Sequence, residues 1–70
     1  MKIRKGRYRH YKGKEYEVVG MARHSETLEE MVVYRPLYGR KMWVRPAKMF
    51  GEKVLVNGKK VRRFAFVGVK

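Results

Sequence analysis

Turn-forming residues punctuate this 70-residue chain so closely that only short elements fit between them. Gly6, Lys12-Gly13-Lys14, Tyr38-Gly39-Arg40 and Asn57-Gly58 mark the breaks, and β-branched and aromatic residues fill much of the rest. Asn57-Gly58 is the sharpest break, because both residues tolerate the positive φ that a two-residue type I′ turn requires. A turn there sets Val54 opposite Val61 and Lys53 opposite Arg62.

The same logic predicts the other strands. Arg7 to Tyr11 makes a first strand that turns at Gly13. Glu15 to Arg23 alternates, with Tyr16, Val18 and Ala22 on one face and Glu15, Glu17 and Arg23 on the other. Met31 to Arg35 is a strand ended by Pro36. Lys41 to Arg45 sets Met42 and Val44 against Trp43 and Arg45. Two single helical turns are expected. Ser25 or Thr27 caps one over Leu28-Glu29-Glu30, at capping-box spacing. Pro46 begins the other and Gly51 ends it. Five or six short strands with one helical turn before a final hairpin predict an all-β fold, a small partly open barrel of the SH3-like or OB-like kind. Residues 1–6 read as a basic arm and residues 7–70 as one domain.

Composition narrows the function. The chain has no cysteine, which removes disulfides and thiolate metal sites and suits a reducing cytoplasm. No stretch approaches the roughly 20 apolar residues of a membrane span. The basic start, Met1 to Lys5, precedes no apolar run and so is not a secretory signal. Nineteen Lys and Arg face six Glu and no Asp, for a net charge of +13. Seven of the cations lie from Lys2 to Lys14 and five more from Arg35 to Lys48, with no acid in either stretch. So much like charge on a small body is self-repulsive, and a polyanion would relieve it.

An ordered series of motifs points to a known family. Tyr8-Arg9-His10-Tyr11-Lys12-Gly13 comes first, then Ala22-Arg23-His24-Ser25-Glu26-Thr27 with Glu29, then Val32-Val33-Tyr34. Leu37-Tyr38-Gly39, Trp43-Val44-Arg45-Pro46 with Met49-Phe50, and Arg63-Phe64 follow. Over about residues 6 to 66 the chain resembles domain-of-unknown-function family 1653, short and mostly bacterial or phage proteins. The resemblance implies a compact single domain and carries no established activity. The chain departs from the family pattern at Arg40 and Lys41, where small or acidic residues are usual. Gly51 replaces an aromatic, and Arg62 a proline. Part of the excess charge therefore belongs to this protein more than to the family.

Catalysis fits the residues poorly. His24-Ser25-Glu26 holds the residue types of a hydrolytic triad, but neighbours on an extended strand point to opposite faces. His10 and His24 with a Glu form no close metal-binding spacing. No enzyme activity, cofactor or metal is expected. Nucleic acid suits the chain better: Arg7, Tyr8, Arg9, His10, Tyr11 and Lys12 interleave cations with aromatics, and Trp43 shares a face with Arg45. Cations hold phosphates while exposed rings stack on bases. The plainer alternative packs the tyrosines and Trp43 inside, with Arg and Lys stems over them. A pocket for a small anion such as a nucleotide, alone or between two copies, would draw on the family-matched His10, Tyr11, Arg23, His24, Glu26, Arg35 and Arg45. The alternative there is an Arg–Glu and His network bracing the fold. An acidic protein surface is a further partner of the same charge. Arg40 and Lys41 complete the candidate anion-binding set.

Overall fold

The computed structural model of the chain describes residues 3–69. Seven strands and one helical turn follow in order: β1 Gly6–His10, β2 Glu15–Arg23, β3 Glu30–Pro36, β4 Trp43–Pro46, α1 Ala47–Phe50, β5 Lys53–Val56, β6 Lys59–Arg62 and β7 Phe64–Gly68. Five of the strands form one antiparallel sheet in the order β4-β3-β2-β1-β7, and β5 and β6 form a separate two-stranded ribbon. The fold is all-β and open, with β4 and β7 at the two edges of the larger sheet. Seven strands stand where five or six were expected. The extra one is β7, which follows the final hairpin and returns to pair with β1.

Alternation along each strand builds the core. Tyr8, Val18, Val32, Tyr34 and Phe64 are buried, from β1, β2, β3 and β7. Ala47 and Phe50 of α1 complete the buried set. Phe50 lies flat on Phe64, with centroids 4.1 Å apart and planes 2° from parallel. Tyr8 meets Phe50 edge-on at 5.3 Å. Each such ring contributes roughly 1.5–3 kcal/mol by leaving water, so a few aromatics supply most of this thin core. Pro46, expected inside the helical turn, instead caps it one residue earlier with an extended ψ of 137°, and Gly51 closes it by donating to the Ala47 carbonyl at 3.0 Å.

The arm is packed where it is described. Ile3 lies against the core, the Arg4 guanidinium sits 4.2 Å over the Phe66 ring, and the Tyr8 hydroxyl donates to the Arg4 carbonyl at 2.8 Å. Burial pushes the Tyr8 pKa up. Met1 and Lys2 of the expected arm, and Lys70, lie outside the described residues.

The β5–β6 turn follows the expected form. Asn57 has φ of 51° and Gly58 of 78°, and Val54 pairs with Val61 and Lys53 with Arg62. Two other expectations need correction. Register slips between Val18 and Gly20, where β2 carries a bulge against β3. One extra residue reverses the facing of everything beyond it. Met21 pairs with Val32 and Ala22 with Met31, so Ala22 leaves the core side and Arg23, opposite Glu30, joins it. The predicted helical turn at Leu28–Glu30 is also absent. His24 caps an irregular turn there: its Nδ1 accepts from the amides of Glu26 at 3.1 Å and Thr27 at 3.3 Å. Thr27 Oγ1 accepts from the Glu29 amide, and Leu28 takes a φ of 64° that no α-helix allows.

Candidate nucleic-acid interface

A line of rings crosses the core side of the sheet and emerges at the surface. Register puts Trp43 beside Tyr34 and Arg45 beside Val32, so both β4 side chains share the core side. Trp43 remains 48% exposed, its ring 6.1 Å from Tyr34 and 6.3 Å from Tyr16. Tyr16 reaches His10 at 6.5 Å, and His10 lies 4.6 Å from Tyr11. Phe64 closes the line from below, 5.7 Å from Tyr16 and 4.9 Å from His10. The inner rings are core, and the outer ones, Trp43 and Tyr11, are rim.

Cations gather along this line. Arg45 donates from Nε to the Tyr34 hydroxyl at 3.3 Å and holds its guanidinium 5.7 Å over Phe64. Lys12 extends over Tyr11, with Nζ 5.9 Å from the ring centre. His10 accepts the Lys12 amide at Nδ1 over 3.1 Å, so its neutral form carries the proton on Nε2. Burial first, then the charges of Arg45, Arg63 and Lys12, lower the His10 pKa. Three cations converging on one imidazole make this spot attractive to an anion. Beside it, a hollow of about 550 Å³ opens between Tyr16, Lys14, Leu37, Tyr38 and Gly39, with Tyr38 wholly exposed at its rim.

The remaining candidates lie elsewhere. Arg7, Arg9 and Arg35 occupy the opposite face and meet carboxylates there. Arg9 grips Glu15 at 2.7 Å, Arg7 approaches the same carboxylate at 3.9 Å, and Arg35 reaches Glu17 at 2.8 Å. This face is a cross-strand ladder of opposite charges, set by the pairing of Arg9 with Glu15 and of Arg7 with Glu17. Arg23 stands at the far end of β2, and His24 spends its Nδ1 on the turn. Arg40 and Lys41 are exposed in the β3–β4 loop, two residues and one residue before Met42 and next to Trp43's strand. The structure thus brings His10, Tyr11, Lys12, Trp43 and Arg45 together and sets Arg7, Arg9, Arg35, Arg23 and His24 apart.

Tyr16 and Arg63 belong to the cluster and were not among the expected site residues. Alternation marked Tyr16 only as core. Arg63 was visible within Arg63-Phe64, but nothing local distinguished it from its basic neighbours. It pairs with Glu52 at 3.0 Å, while its buried Nε has no hydrogen-bond partner among the described residues. Among the described residues no three His or Glu side chains are grouped to hold a metal ion, and no helix is long and apolar enough to cross a membrane.

Comparison with known proteins places this arrangement in a family. The model of the family described as "Protein of unknown function (DUF1653)" matches residues 6–66. The chain belongs to the DUF1653 family. A crystal structure of a DUF1653 protein from Bordetella bronchiseptica is similar over 94% of this chain and 88% of that one, at 43% identity and a TM-score of 0.85. No curated protein matches. The DUF1653 match spans every residue of the ring line, from His10 to Phe64.

Proposed function

We propose that the protein is a non-catalytic binding module for nucleic acid, working in the cytoplasm, and that it takes up an unpaired strand. Bases stack on Trp43 and Tyr38, and phosphates meet Lys12, Arg40, Lys41 and Arg45. The observation that carries this is the half-exposed Trp43 at the head of a ring line beside which Lys12, Arg40, Lys41 and Arg45 have no carboxylate partner among the described residues. Stacking on exposed rings is indifferent to sequence because every base has a π-face. Basic side chains that no Glu neutralises remain available to phosphate.

The convergence of Arg45, Arg63 and Lys12 on His10 favours a second possibility, a single small anion such as a nucleotide. Salt distinguishes the two. Each phosphate held on a single strand contributes about 0.7 to the slope of log affinity against log salt. Four such contacts predict about a 50-fold loss between 50 and 200 mM salt. The test is a fluorescence-anisotropy titration of a labelled 12-nucleotide strand across that range. A steep slope supports strand binding. A flat slope, with full competition by a mononucleotide, overturns it in favour of the small ligand.

A further inference from the structure

The ribbon β5–β6 stands apart from the sheet in both contacts and charge. Lys53, Lys59, Lys60 and Arg62 lie on it, and no acid occurs from Lys53 to Arg62. Among the described residues none of the four has a carboxylate partner. The β1–β2 hairpin of the same protein sets Arg opposite Glu at two alternate pairs on one face. The ribbon does the reverse and sets Lys53 directly opposite Arg62. Like charges facing each other across two strands are destabilising, so this pairing does not stabilise the fold.

The two faces of the ribbon differ. Val54, Val56 and Val61 are half-buried, and Val56 and Val61, with part of Arg62, face Tyr11 across a groove of about 470 Å³. Lys53, Arg62 and Lys60 occupy the outward face around Leu55, which is 71% exposed. An exposed leucine ringed by three cations suits a surface that presents phosphates around apolar groups.

We infer that the β5–β6 ribbon is a second nucleic-acid contact that lies in the major groove of a B-form DNA duplex, adjoining the strand held on the rings. This rests on the proposed strand-binding role of the ring line. The major groove of B-DNA, about 12 Å wide and about 8.5 Å deep, admits a two-stranded ribbon. Four-residue strands at about 3.4 Å per residue reach roughly 13 Å, enough to span that depth. Lys and Arg meet the phosphates on either wall, and Leu55 meets thymine methyls. The A-form major groove is too deep and narrow to be read by side chains, so duplex RNA does not fit.

The ribbon is also joined to the ring line at its base. Arg63 donates its amide to the Glu52 carbonyl at 2.9 Å and its guanidinium to the Glu52 carboxylate, pinching the two strands together. The Tyr11 amide then donates to the Arg63 carbonyl at 3.0 Å. Tyr11 is the last ring in the line from Trp43, so a strand lying on the rings ends where the ribbon begins. The substrate class that matches both surfaces is DNA with a junction between single and double strands.

The full-length chain is titrated by anisotropy against a 12-nucleotide strand, a blunt DNA duplex, and the same duplex with that strand as a tail. The tailed duplex is expected to bind at least about 10-fold tighter than either component, and tailed A-form RNA is not. The triple variant K53Q/K60Q/R62Q should bring the tailed duplex down to the level of the free strand and leave the free strand unchanged. Its salt slope on the tailed duplex should flatten by about 2.7, three lost contacts at about 0.9 each. A tailed duplex that binds no tighter than the strand, or a variant that weakens both equally, overturns the inference. A parent chain that binds blunt duplex through the ribbon yet ignores the single strand keeps the ribbon contact and sinks the ring platform alone.

Discussion

Replacing Trp43 separates recognition from folding, because its ring is divided between the two. With 48% of the residue exposed, about half of a full Trp→Ala penalty of 3–5 kcal/mol applies, or about 2 kcal/mol. A domain of this length is stable by about 4–10 kcal/mol, so Trp43→Ala should remain folded with a lowered melting temperature. Its effect on binding is larger in proportion. One stacked base is worth about 1–3 kcal/mol, which predicts about a 5- to 150-fold loss of affinity for a single strand. Trp43 carries no charge, so the salt slope should be the same in variant and parent. Trp43→Phe, which keeps a flat ring, should lose only a small part of the affinity. The chain has one tryptophan, so quenching of its fluorescence by unlabelled strand reports stacking directly. Anisotropy at fixed salt measures the affinity, and a circular-dichroism melt shows that the variant is folded. A folded Trp43→Ala that binds within twofold of the parent, or a parent whose fluorescence ignores saturating strand, refutes the stacking role.

Gly6→Ala should be the more damaging of two superficially similar glycine changes. Gly6 has φ of +138°, and an added Cβ would stand 2.6 Å from the Gly68 carbonyl oxygen on the paired strand β7. Strain of about 1–3 kcal/mol and overpacking of about 1–3 kcal/mol together predict a fall of at least about 8 °C in a thermal melt. Gly58→Ala meets open space at its positive φ and should cost about 1–2 kcal/mol; equal melting temperatures for the two variants would count against the β1–β7 packing. The pH dependence of stability should show His10. Its folded pKa lies below the ordinary 6.5, owing to burial and then to Arg45, Arg63 and Lys12. The unfolded chain therefore takes up that proton more readily, and the contribution is complete above pH 6.5 and is lost as pH falls through the folded value. Urea midpoints should decline from pH 7.5 to 5 in the parent and more shallowly in His10→Gln; identical slopes would show that His10 plays no part.

Local chemistry made some elements legible and left others hidden. Asn57-Gly58 dictated its own turn, and that turn fixed the register of Val54 with Val61 without help from the rest of the chain. The bounds of β2 were equally clear, because a lysine-flanked glycine and the polar run from His24 to Thr27 isolate it. Its interior was not. The bulge at Val18–Gly20 depends on how β3 meets β2; Gly20, an isolated glycine inside a strand, is its one local signal, and simple alternation that passes over it reverses the facing of Ala22 and Arg23. The turn after β2 failed for a related reason. Thr27 and Glu30 had capping-box spacing, but the His24 imidazole supplied the acceptor first. β7 is hidden in the sequence because Phe64–Gly68 lacks both polar alternation and a flanking turn signal. Among the site residues, Trp43 and Arg45 were visible as a same-face pair. The neutralisation of Arg7, Arg9 and Arg35 required the cross-strand register with Glu15 and Glu17, which composition does not contain. The isolation of the β5–β6 ribbon likewise emerges only from the completed topology.

Phe64 has two neighbourhoods: one flank lies flat against Phe50, the other faces His10 and Arg45. Whatever selection acts on that ring acts at once on the core and on the seating of His10 and Arg45 in the proposed site. A genetic screen for inactive alleles would therefore return misfolded proteins from a position that lies beneath the proposed binding surface. New preferences can accumulate more freely at Arg40 and Lys41, where an exposed side chain can change without disturbing the core.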